Sequence, residues 1–570
     1  MNGLLKALQL DNEDPQQMKR EAAWLWTRIK RNRGLILAVS ALSLIGAIMG
    51  LGGSVASKYL IDAVTGLDGR RILMAACCMG VLTLGAIVLR GVSSRMGAAI
   101  HMKVYTHNQR KVYKRILRAG WEALEPYRSG DLLHRLNSDV ASVSDGVISA
   151  VPNALTVFVR FAGAFAIMLV FDPAMALIAL LGIPVSLGLS RLLMGHLRRH
   201  NKLVKELGSE LMSFQEDSFR NLTSIKSFSI TDLFSDNLRK LQGTYSEAYM
   251  SHNASQIWIT TILSLISTLV SGVCFGWGVY RLWQGTMTFG SLTMFMMLAS
   301  TLRSSFSSLI SLMQQAASLM TSAGRIMAVE ELPEEEDEIP EGLEDEEALS
   351  ISLEKIAFSY QDGAAVLHPF AFTAEPGDII AITGPSGEGK TTLLRLLLGL
   401  VQPVAGEAKL RGRSGKTYPL TAGTRSIFAY VPQGNSIFAG TIAENLRMVR
   451  PDATDEELIQ ALKTACAWEF VKEFPDGLEH RLGAGGRGIS EGQAQRLAIA
   501  RALLREAPIL LLDEATSAMD MALERKLLEN LKAGGALRTC ILVTHRPASV
   551  AYCNRAYEVS NGVVEEIFPG

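Results

Sequence analysis

The sequence has little of what marks a nucleic-acid binder or a disulfide-bonded scaffold. Its 570 residues carry no basic excess, because 56 Lys and Arg residues are matched by 56 Asp and Glu residues. Binding of nucleic acid through bulk charge calls for such an excess, so no nucleic-acid partner is expected. Only six cysteines are present, without metal-ligand spacing, and we interpret them as reduced thiols. Charged residues make up 20% and hydrophobic residues 48%, which excludes a disordered chain.

Long apolar runs are present, and they lie in the first part of the chain. A helix needs roughly 20 apolar residues to cross a hydrocarbon core of about 30 Å. The first run begins too late and is too long for a cleavable signal peptide. The candidate spans are residues 34–61, 71–95, 148–171, 173–194, 255–283 and 287–312. We therefore predict an all-α membrane domain of six helices over residues 34–328.

The loops between these spans alternate in length and charge. The loops after the second and fourth spans are long and rich in Lys and Arg, whereas the short loops carry only Arg70 and Arg71. Basic loops stay on the cytoplasmic side of a membrane. This pattern predicts that both termini and both long loops are cytoplasmic in a multi-pass protein of the cell membrane.

The N-terminal 33 residues end in a block that mixes tryptophan and leucine with lysine and arginine, from Met18 to Arg33. This composition is typical of an amphipathic helix that lies on membrane lipid at the inner surface. A solvated basic helix is the alternative.

An acidic run separates the two halves of the chain. Residues Glu330 to Glu347 include twelve acidic side chains, two prolines and no base. Such a run repels itself, so we interpret residues 329–348 as a solvated linker. An acidic docking site is the alternative. Residues 349–570 then form a second domain.

The second domain contains a phosphate-binding motif between a predicted strand and a predicted helix. The strand DIIAIT is followed by GPSGEGKT and then by the apolar TLLRLLLGL, which is G-x4-G-K-T in the required context. The glycines let backbone N–H groups converge on phosphate oxygens, and the helix N-terminus favours the same charge. Lys390 is expected to reach the β- and γ-phosphates, and the Thr391 hydroxyl to bind Mg²⁺.

Two acidic residues end a second predicted strand, ILLLD. Asp513 at such a position can hold Mg²⁺, and Glu514 beside it can orient or deprotonate an attacking water. The alternative is that the pair merely caps a helix. A third strand, ILVT, ends in His545, and a lone histidine at a strand end is usually structural.

With these motifs in place, the second half resembles the nucleotide-binding domain of ATP-binding cassette (ABC) proteins. Gln433 in YVPQGNSIF is similar to the family's Q-loop, and VTHR is similar to its switch histidine. The stretch ISEGQ before AQRLAIARALL resembles the signature motif, and LLLDEATSAMD resembles the Walker B strand and D-loop. Tyr360 stands where the family has an aromatic residue that stacks on adenine.

The resemblance implies an α/β P-loop NTPase domain that hydrolyses ATP with Mg²⁺. It implies that Glu514, His545 and Gln433 are catalytic. Thr391, Gln433 and Asp513 would hold the Mg²⁺ ion. The implied nucleotide-binding residues are Tyr360, Gly384, Ser386, Gly387, Gly389, Lys390, Thr391, Thr392, Ser490, Gly492 and Gln493.

The first half resembles the six-span half-transporters of the type IV exporters. Its motifs beginning at Tyr127 and at Phe219 are similar to two intracellular loops that carry coupling helices in that family. Two positions depart from the family pattern. Glu491 replaces the usual signature glycine, and Ala484 stands where exporters often have an acidic residue. We expect Glu491 to point away from phosphate and activity to be retained.

One set of nucleotide motifs and six spans make half a transporter, so the resemblance implies a dimer in which ATP lies between two chains. A homodimer is favoured because the Walker side is intact, and a heterodimer is the alternative. The implied function is ATP-driven export of an amphipathic molecule, whether lipid, peptide or drug-like. An importer on the exporter fold and a membrane-anchored regulatory ATPase without cargo are the alternatives.

Polar residues inside the spans suggest where cargo binds. Serines at three- to four-residue steps share one face of the sixth span, with Arg303 beside them. Arg160 lies near the middle of the third span, where a charge must face protein, water or a partner. We predict a partly cationic cavity for amphipathic or anionic cargo; close helix packing and an internally paired Arg160 are the alternative. The candidate substrate residues are Asn153, Arg160, Arg303, Ser304, Ser308 and Ser311.

Overall fold

The computed structural model describes residues 15–346, 348–360, 363, 365–483, 485–533 and 538–567, and of these the side chains of 181–199, 202, 263, 267, 310, 313 and 314 are left aside. The chain forms two compact units. The first holds the residues up to Tyr113 together with Ser129–Glu330. The second joins Lys114–Arg128 to Glu331–Gly570, so a short piece of the first long loop belongs with the C-terminal domain. Ala484, one of the two departures from the family pattern, lies outside the described residues.

Long helices build the first unit. Helix α3 is 50 residues long and runs without interruption from Gly69 to Arg118, well beyond its predicted span of 71–95. The helices up to the acidic run are α1 (Pro15–Arg31), α2 (Arg33–Thr65), α3 (Gly69–Arg118), α4 (Trp121–Leu124), α5 (Ser129–His134) with a π-helical turn (Arg135–Asp139), α6 (Val140–Phe171), α7 (Pro173–Arg220), α8 (Leu222–Ser227), α9 (Thr231–Trp283) and α10 (Phe289–Glu330).

Many apolar side chains of these helices are exposed, which is unusual for a protein surface in water. On α3, Leu73, Val81 and Val88 are each more than 60% exposed. Among the described residues, the stretches long and apolar enough to cross a membrane are Arg33–Thr65, Gly69–Arg118, Ser129–Phe171 and Thr231–Trp283. Helix α10 is not among them, because its serines and Arg303 dilute its apolar content. The count of six spans therefore stays a prediction.

Helix α1 packs against protein. Met18 and Leu25 are buried, and Trp24 Nε1 donates to Glu330 Oε2 at 3.2 Å. Arg28 donates to Glu330 Oε1 at 2.6 Å, and Arg28 together with Lys111 holds the pKa of this carboxyl below its usual value although burial opposes them. A freely solvated basic helix does not fit these contacts, whereas the predicted position on membrane lipid is left untested.

The second unit consists of two main sheets and helices. Its strands are β1 (Leu349–Ser359), β2 (Ala365–Ala374), β3 (Ile379–Thr383), β4 (Ala405–Gly412), β5 (Thr417–Pro419), β6 (Phe428–Val431), β7 (Gly440–Thr441), β8 (Arg481–Leu482), β9 (Ile509–Asp513), β10 (Thr539–Val543), β11 (Arg555–Ser560) and β12 (Val563–Ile567). Its helices are α11 (Lys390–Leu397), α12 (Ile442–Arg447), α13 (Asp455–Thr464), α14 (Trp468–Val471), α15 (Glu491–Leu504), α16 (Met521–Ala533) and α17 (Pro547–Val550), with 3₁₀ turns at Ala422–Ile427 and Gly477–Glu479.

The larger sheet has the order β12-β11-β3-β10-β9-β6, and all its pairs are parallel except β11 with β12. Strands β9 and β10 are buried at every residue, which explains their nearly continuous apolar sequences. One core cluster includes residues of the antiparallel sheet β2-β1-β4-β5, and a second includes residues of α12, α13 and α15. The middle strands of the larger sheet therefore have apolar neighbours on both faces.

The acidic run is anchored at several points although most of its side chains are exposed, so its interpretation as a solvated linker stays a prediction. Glu334 forms an ion pair with Arg115, and Glu335 accepts from Arg425 Nη2 at 3.0 Å. Leu343 within the run is buried. Other carboxylates, such as Glu336, stay exposed. Pairing of selected carboxylates with arginine relieves the repulsion that the sequence alone suggested.

Candidate functional site

One edge of the larger sheet collects the residues that the sequence predicts to act on ATP. Strands β3, β10, β9 and β6 are neighbours in that order and run parallel. Their carboxyl ends therefore lie side by side, although they are far apart in sequence. The phosphate-binding loop follows β3, His545 follows β10, Asp513 ends β9 with Glu514 directly after it, and Gln433 follows β6.

The phosphate-binding loop has the backbone that its glycines allow. Gly384, Gly387 and Gly389 all have positive φ, of 128°, 89° and 107°. At Gly384 a Cβ would collide with the carbonyl oxygen of Val559, so no other residue fits. Helix α11 begins directly after the loop and points its N-terminus at it, as an anion site requires. Ser386 lies within this loop, while Thr391 and Thr392 lie in the first turn of α11.

Lys390 is buried and folded back over the loop. Its Nζ donates to the carbonyl oxygens of Gly384 and Pro385, both at 2.7 Å. Burial lowers the pKa of Lys390, and the carboxylates of Glu514, Asp513 and Glu388 oppose this shift. The ammonium group thus lies in the curve of the loop, where a phosphate chain would meet it.

The carboxylate of Glu514 joins the two other predicted catalytic residues. Gln433 Nε2 donates to Glu514 Oε2 at 2.7 Å, and His545 Nε2 lies 3.2 Å from Glu514 Oε1. The backbone of Glu514 has a φ of 49°, in the left-handed region that a non-glycine residue rarely adopts. The structure therefore brings Glu514, His545 and Gln433 together, with a strained backbone at the proposed base.

Asp513 is buried beside them and differs in environment. It accepts from the Tyr430 hydroxyl at 3.3 Å, and burial raises its pKa above the usual value. Gln433 uses its Nε2 to bond Glu514, so the Oε1 of Gln433 is available to a cation. The Thr391 hydroxyl, this amide oxygen and the Asp513 carboxylate are hard oxygen donors of the kind that Mg²⁺ prefers alongside phosphate oxygens and water. The donor set therefore fits the implied ion.

Tyr360 lies next to the phosphate-binding helix. Its ring packs edge-on against Phe358, with ring centres 4.8 Å apart, and its hydroxyl is 3.5 Å from Thr392 Oγ1. Arg395 Nη1 donates to the same hydroxyl at 2.7 Å. Arg395 was not singled out in the sequence, since an arginine in an amphipathic helix gives no signal by itself.

Arg395 also contacts the loop segment that the second unit takes from the first half. Its guanidinium lies 3.6 Å from the Glu125 carboxylate and 5.5 Å from the ring centre of Trp121. The backbone N–H of Gln402 donates to Glu122 Oε1 at 3.2 Å. Helix α4, which precedes the motif at Tyr127, is thus fastened to the nucleotide-binding domain near Tyr360.

The signature residues form a helix cap. Ser490 Oγ accepts from Gln493 N at 3.3 Å, and Gln493 Oε1 accepts from Ser490 N at 2.8 Å, which is a reciprocal capping box. A Cβ on Gly492 would lie 2.6 Å from the carbonyl oxygen of Ala518. Glu491 is the exposed first residue of α15, a position that favours an acid. Among the described residues, no hydrogen bond joins Ser490, Gly492 or Gln493 to the phosphate-binding loop.

Three residues that the sequence reasoning missed hold the turn after Glu514. Gln495 Oε1 accepts from Ala518 N at 3.1 Å. Arg546 donates to Ser517 O and to the buried carboxylate of Glu524, at 2.8 and 2.6 Å. The sequence indicates that Glu524 lies in a regular helix, but it does not show that this side chain is buried.

A polar cavity lies within the first unit. Its volume is about 890 Å³, and helices α2, α3, α6 and α10 line it. Of the predicted substrate residues, Asn153, Arg160, Ser308 and Ser311 line this cavity, while Arg303 and Ser304 are not part of its wall. Ser308 and Ser311 also donate to carbonyl oxygens of their own helix, as serine often does inside helices.

Three charged or titratable residues of this wall were not predicted. Arg90 and His101 come from α3, and Asp145 comes from α6. Arg90 is a single charge in an apolar run, and this was the signal that the sequence offered for it. Asp145 precedes the third predicted span, so its position in the sequence gives no sign of a place in the cavity wall.

Comparisons with known proteins agree with this architecture. The ABC transporter transmembrane region family matches residues 36–306, and the ABC transporter family matches residues 367–517. A multidrug resistance ABC transporter ATP-binding and permease protein of Lactococcus lactis subsp. lactis is 28% identical over 507 residues, which cover 88% of this chain and 84% of the relative. An uncharacterized ABC transporter ATP-binding protein of Bacillus subtilis is 28% identical over 565 residues, covering 95% and 90%.

A solved structure of a bacterial Atm1-family ABC exporter with ATP bound has the same fold. Its TM-score is 0.79 at 21% identity, and the match covers 94% of this chain and 95% of that one. The predicted fold class, a helical membrane domain followed by an α/β ATPase domain, is confirmed.

Replacing Glu514 by Gln should lower ATP hydrolysis by at least about a hundredfold and leave ATP binding intact, because an amide cannot accept a proton from water. Lys390→Ala should instead weaken ATP binding, since it removes the cation at the phosphates. Phosphate release and binding of a fluorescent ATP analogue measure the two effects. Glu565→Gln, an exposed change on β12, is the control. Wild-type hydrolysis by the Glu514→Gln protein would rule out Glu514 as the base.

Replacing Asp513 by Asn should stabilise the protein in EDTA while abolishing Mg²⁺-dependent hydrolysis. Burial raises the pKa of Asp513, so the ionised carboxylate costs folding stability at any pH above that raised value. The gain in thermal midpoint should be largest at neutral pH and vanish below about pH 4, the pKa of an unfolded aspartate. The exposed Asp452→Asn is the control. A lower midpoint for Asp513→Asn at neutral pH would contradict this electrostatic account.

Proposed function

Because the chain belongs to the ABC transporter family, in which ATP hydrolysis is coupled to transport, we propose that two copies of it export an amphipathic molecule across the cytoplasmic membrane. The observation that carries the proposal is that one chain holds both an assembled hydrolytic edge and a polar cavity among apolar helices. Multidrug resistance is part of the name of a relative, and it supports drug-like cargo here as one member of the amphipathic class.

Two features support a dimer. The signature residues Ser490 and Gly492 have no bond to the phosphate-binding loop of their own chain among the described residues, so a second chain is the natural source of a signature for each ATP. Phe219 and Phe228, which flank the short helix α8, are each 74% exposed. Two bare aromatic side chains in a predicted cytoplasmic loop mark a surface that a partner covers. Intact Glu514 and His545 favour a homodimer over a heterodimer.

The contacts of Arg395 support a route from nucleotide to membrane helix. Arg395 bonds the Tyr360 hydroxyl on one side and lies beside Glu125 and Trp121 on the other. We assign Tyr360 to stacking on adenine. A shift of Tyr360 on nucleotide binding would then act through Arg395 on α4, which follows directly on the long helix α3.

The charge of the loops supports the orientation of the chain in the membrane, and the exporter fold supports the direction of transport. The basic long loops favour a cytoplasmic position for both termini and for the nucleotide-binding domain. ATP binding between two chains would close the ATPase domains and open the cavity outward, and hydrolysis would reset them. An importer and a cargo-free regulatory ATPase are outcomes of the test below.

Purified protein in liposomes, with its ATPase domains facing outward, should accumulate dye in the lumen when ATP and Mg²⁺ are added. The dyes are neutral N-phenyl-1-naphthylamine and its anionic relative 8-anilinonaphthalene-1-sulfonate, and dye inside the vesicles is measured after filtration. Glu514→Gln protein should move neither dye. ATP-driven loss of preloaded dye would identify an importer, and hydrolysis without movement of either dye would favour a regulatory ATPase.

Replacing Tyr360 by Phe should lower the amount of dye moved per ATP and leave the ATP concentration for half-maximal hydrolysis unchanged. The ring that stacks on adenine is kept, and the hydroxyl that bonds Arg395 is lost. Tyr360→Ala should raise that ATP concentration severalfold, because stacking on an aromatic ring is lost. Glu565→Gln, the exposed change on β12, is the control. Equal dye-to-ATP ratios for Tyr360→Phe and wild type would contradict the route through Arg395.

A further inference from the structure

We propose that Arg90 and Arg160 form a binding site for the anionic head group of the cargo, so that the preferred cargo is an amphipathic molecule with one carboxylate, sulfonate or phosphate ester. This inference rests on the proposed export function and narrows its substrate class. Both arginines line the same cavity, from α3 and α6. Arg160 alone was predicted from sequence, and the structure adds the second guanidinium.

The two arginines lie at nearly the same depth. Val39, Ile100 and Ile148 form one buried cluster, which fixes a common level on α2, α3 and α6. Arg90 precedes Ile100 by ten residues on α3, and Arg160 follows Ile148 by twelve on α6. At a rise of 1.5 Å per residue they stand about 15 and about 18 Å from that level.

Arg90 and Arg160 lie on the same side of that level. Arg90 precedes its reference residue and Arg160 follows its own, but α3 and α6 run in opposite directions. Ser43 and Ser93, whose hydroxyl oxygens are 2.9 Å apart, hold α3 against α2 close to Arg90. On α6, a Cβ added to Gly163 would meet Leu51 of α2, so Arg160 lies one turn from a second contact with the same helix. The two guanidinium groups are therefore placed at one level of the cavity by packing on α2.

Among the residues whose side chains the structure describes, the one carboxylate in the cavity wall is far from this level. Asp145 precedes Arg160 by fifteen residues on the same helix, which is about 22 Å along its axis. Its Oδ2 accepts from Ser149 Oγ at 3.4 Å. Asp145 and His101 therefore lie near the level of Ile148, at the other end of the cavity, and leave the two arginines without a counter-charge in the wall.

Neither Arg90 nor Arg160 forms an ion pair within 4.0 Å in the part of the chain that the structure describes. Two guanidinium groups inside apolar helices are costly unless a negative charge joins them. Thr156 lies one helical turn before Arg160. Its hydroxyl oxygen is buried and has no hydrogen-bond partner among the described residues. Thr156 itself lines the same cavity, so a change of its χ1 rotamer would let this hydroxyl donate to an oxyanion held by the arginines.

The rest of the wall suits an apolar body. Leu42, Val157 and Leu312 line the cavity together with the polar residues. A volume of about 890 Å³ lies within the range of sites for drug-sized ligands, roughly 300–1,000 Å³. A molecule with one anionic end and an apolar remainder of that size matches both parts of the wall.

The test compares the two naphthalene dyes, which share a ring system and differ by the sulfonate. Arg90→Gln and Arg160→Gln should each raise the sulfonate concentration for half-maximal transport by about tenfold, as expected when a charge-assisted hydrogen bond is lost. Transport of neutral N-phenyl-1-naphthylamine and basal ATP hydrolysis should stay unchanged. Arg95→Gln, an exposed arginine of the same helix α3 outside the cavity wall, is the matched control. Arg160→Lys should lie between wild type and Arg160→Gln, because lysine keeps the charge but not the bidentate fork.

The outcomes separate this site from the export proposal. Equal shifts for both dyes, no shift for the sulfonate, or an equal effect of Arg95→Gln would overturn the head-group site while export stands. Failure of wild-type protein to move either dye would overturn both. If a Gln variant does not assemble, the Lys variant decides. An equal loss of sulfonate transport and of neutral-dye transport in assembled Arg160→Lys and Arg90→Lys proteins would count against the site.

Discussion

Parallel strands can bring distant residues together only where the strands end, and this constraint shapes the whole ATPase site. Strand β9 lies between β10 and β6, so Glu514 at its end has His545 on one side and Gln433 on the other. The phosphate-binding loop follows β3, one strand further along. The order of the strands thus sets which residues can share one carboxylate, and the buried apolar strands keep that edge in place.

Charge sets the second level of organisation. Glu335 bonds Arg425 and also accepts from the backbone N–H of Trp121 at 3.3 Å, while Glu125 lies beside Arg395. The segment between α3 and α5 is therefore fastened to the ATPase domain by two kinds of contact. Some carboxylates belong to the segment itself, and others belong to the acidic run. This pairing explains why an acidic stretch that looks self-repelling in sequence has a defined course.

Local motifs made the ATPase site predictable, and tertiary packing made the rest unpredictable. The loop from Gly384 to Thr391 and the pair Asp513 and Glu514 are short patterns whose chemistry depends on neighbours in sequence, and the family resemblance supplied Gln433 and His545. The bond between Arg395 and Tyr360 depends on how a helix face meets a strand end. The level shared by Arg90 and Arg160 depends on packing between helices, so sequence yielded only one of the two.

The two hydrogen bonds on Glu514 have a consequence for the resting protein. Both carboxylate oxygens are occupied, by Gln433 Nε2 at 2.7 Å and by His545 Nε2 at 3.2 Å. Each carboxylate oxygen keeps a second lone pair, so an attacking water can bond beside these partners without replacing them. The carboxylate is instead held from both sides, so its aim at that water depends on the loop after β6 and the loop after β10 together.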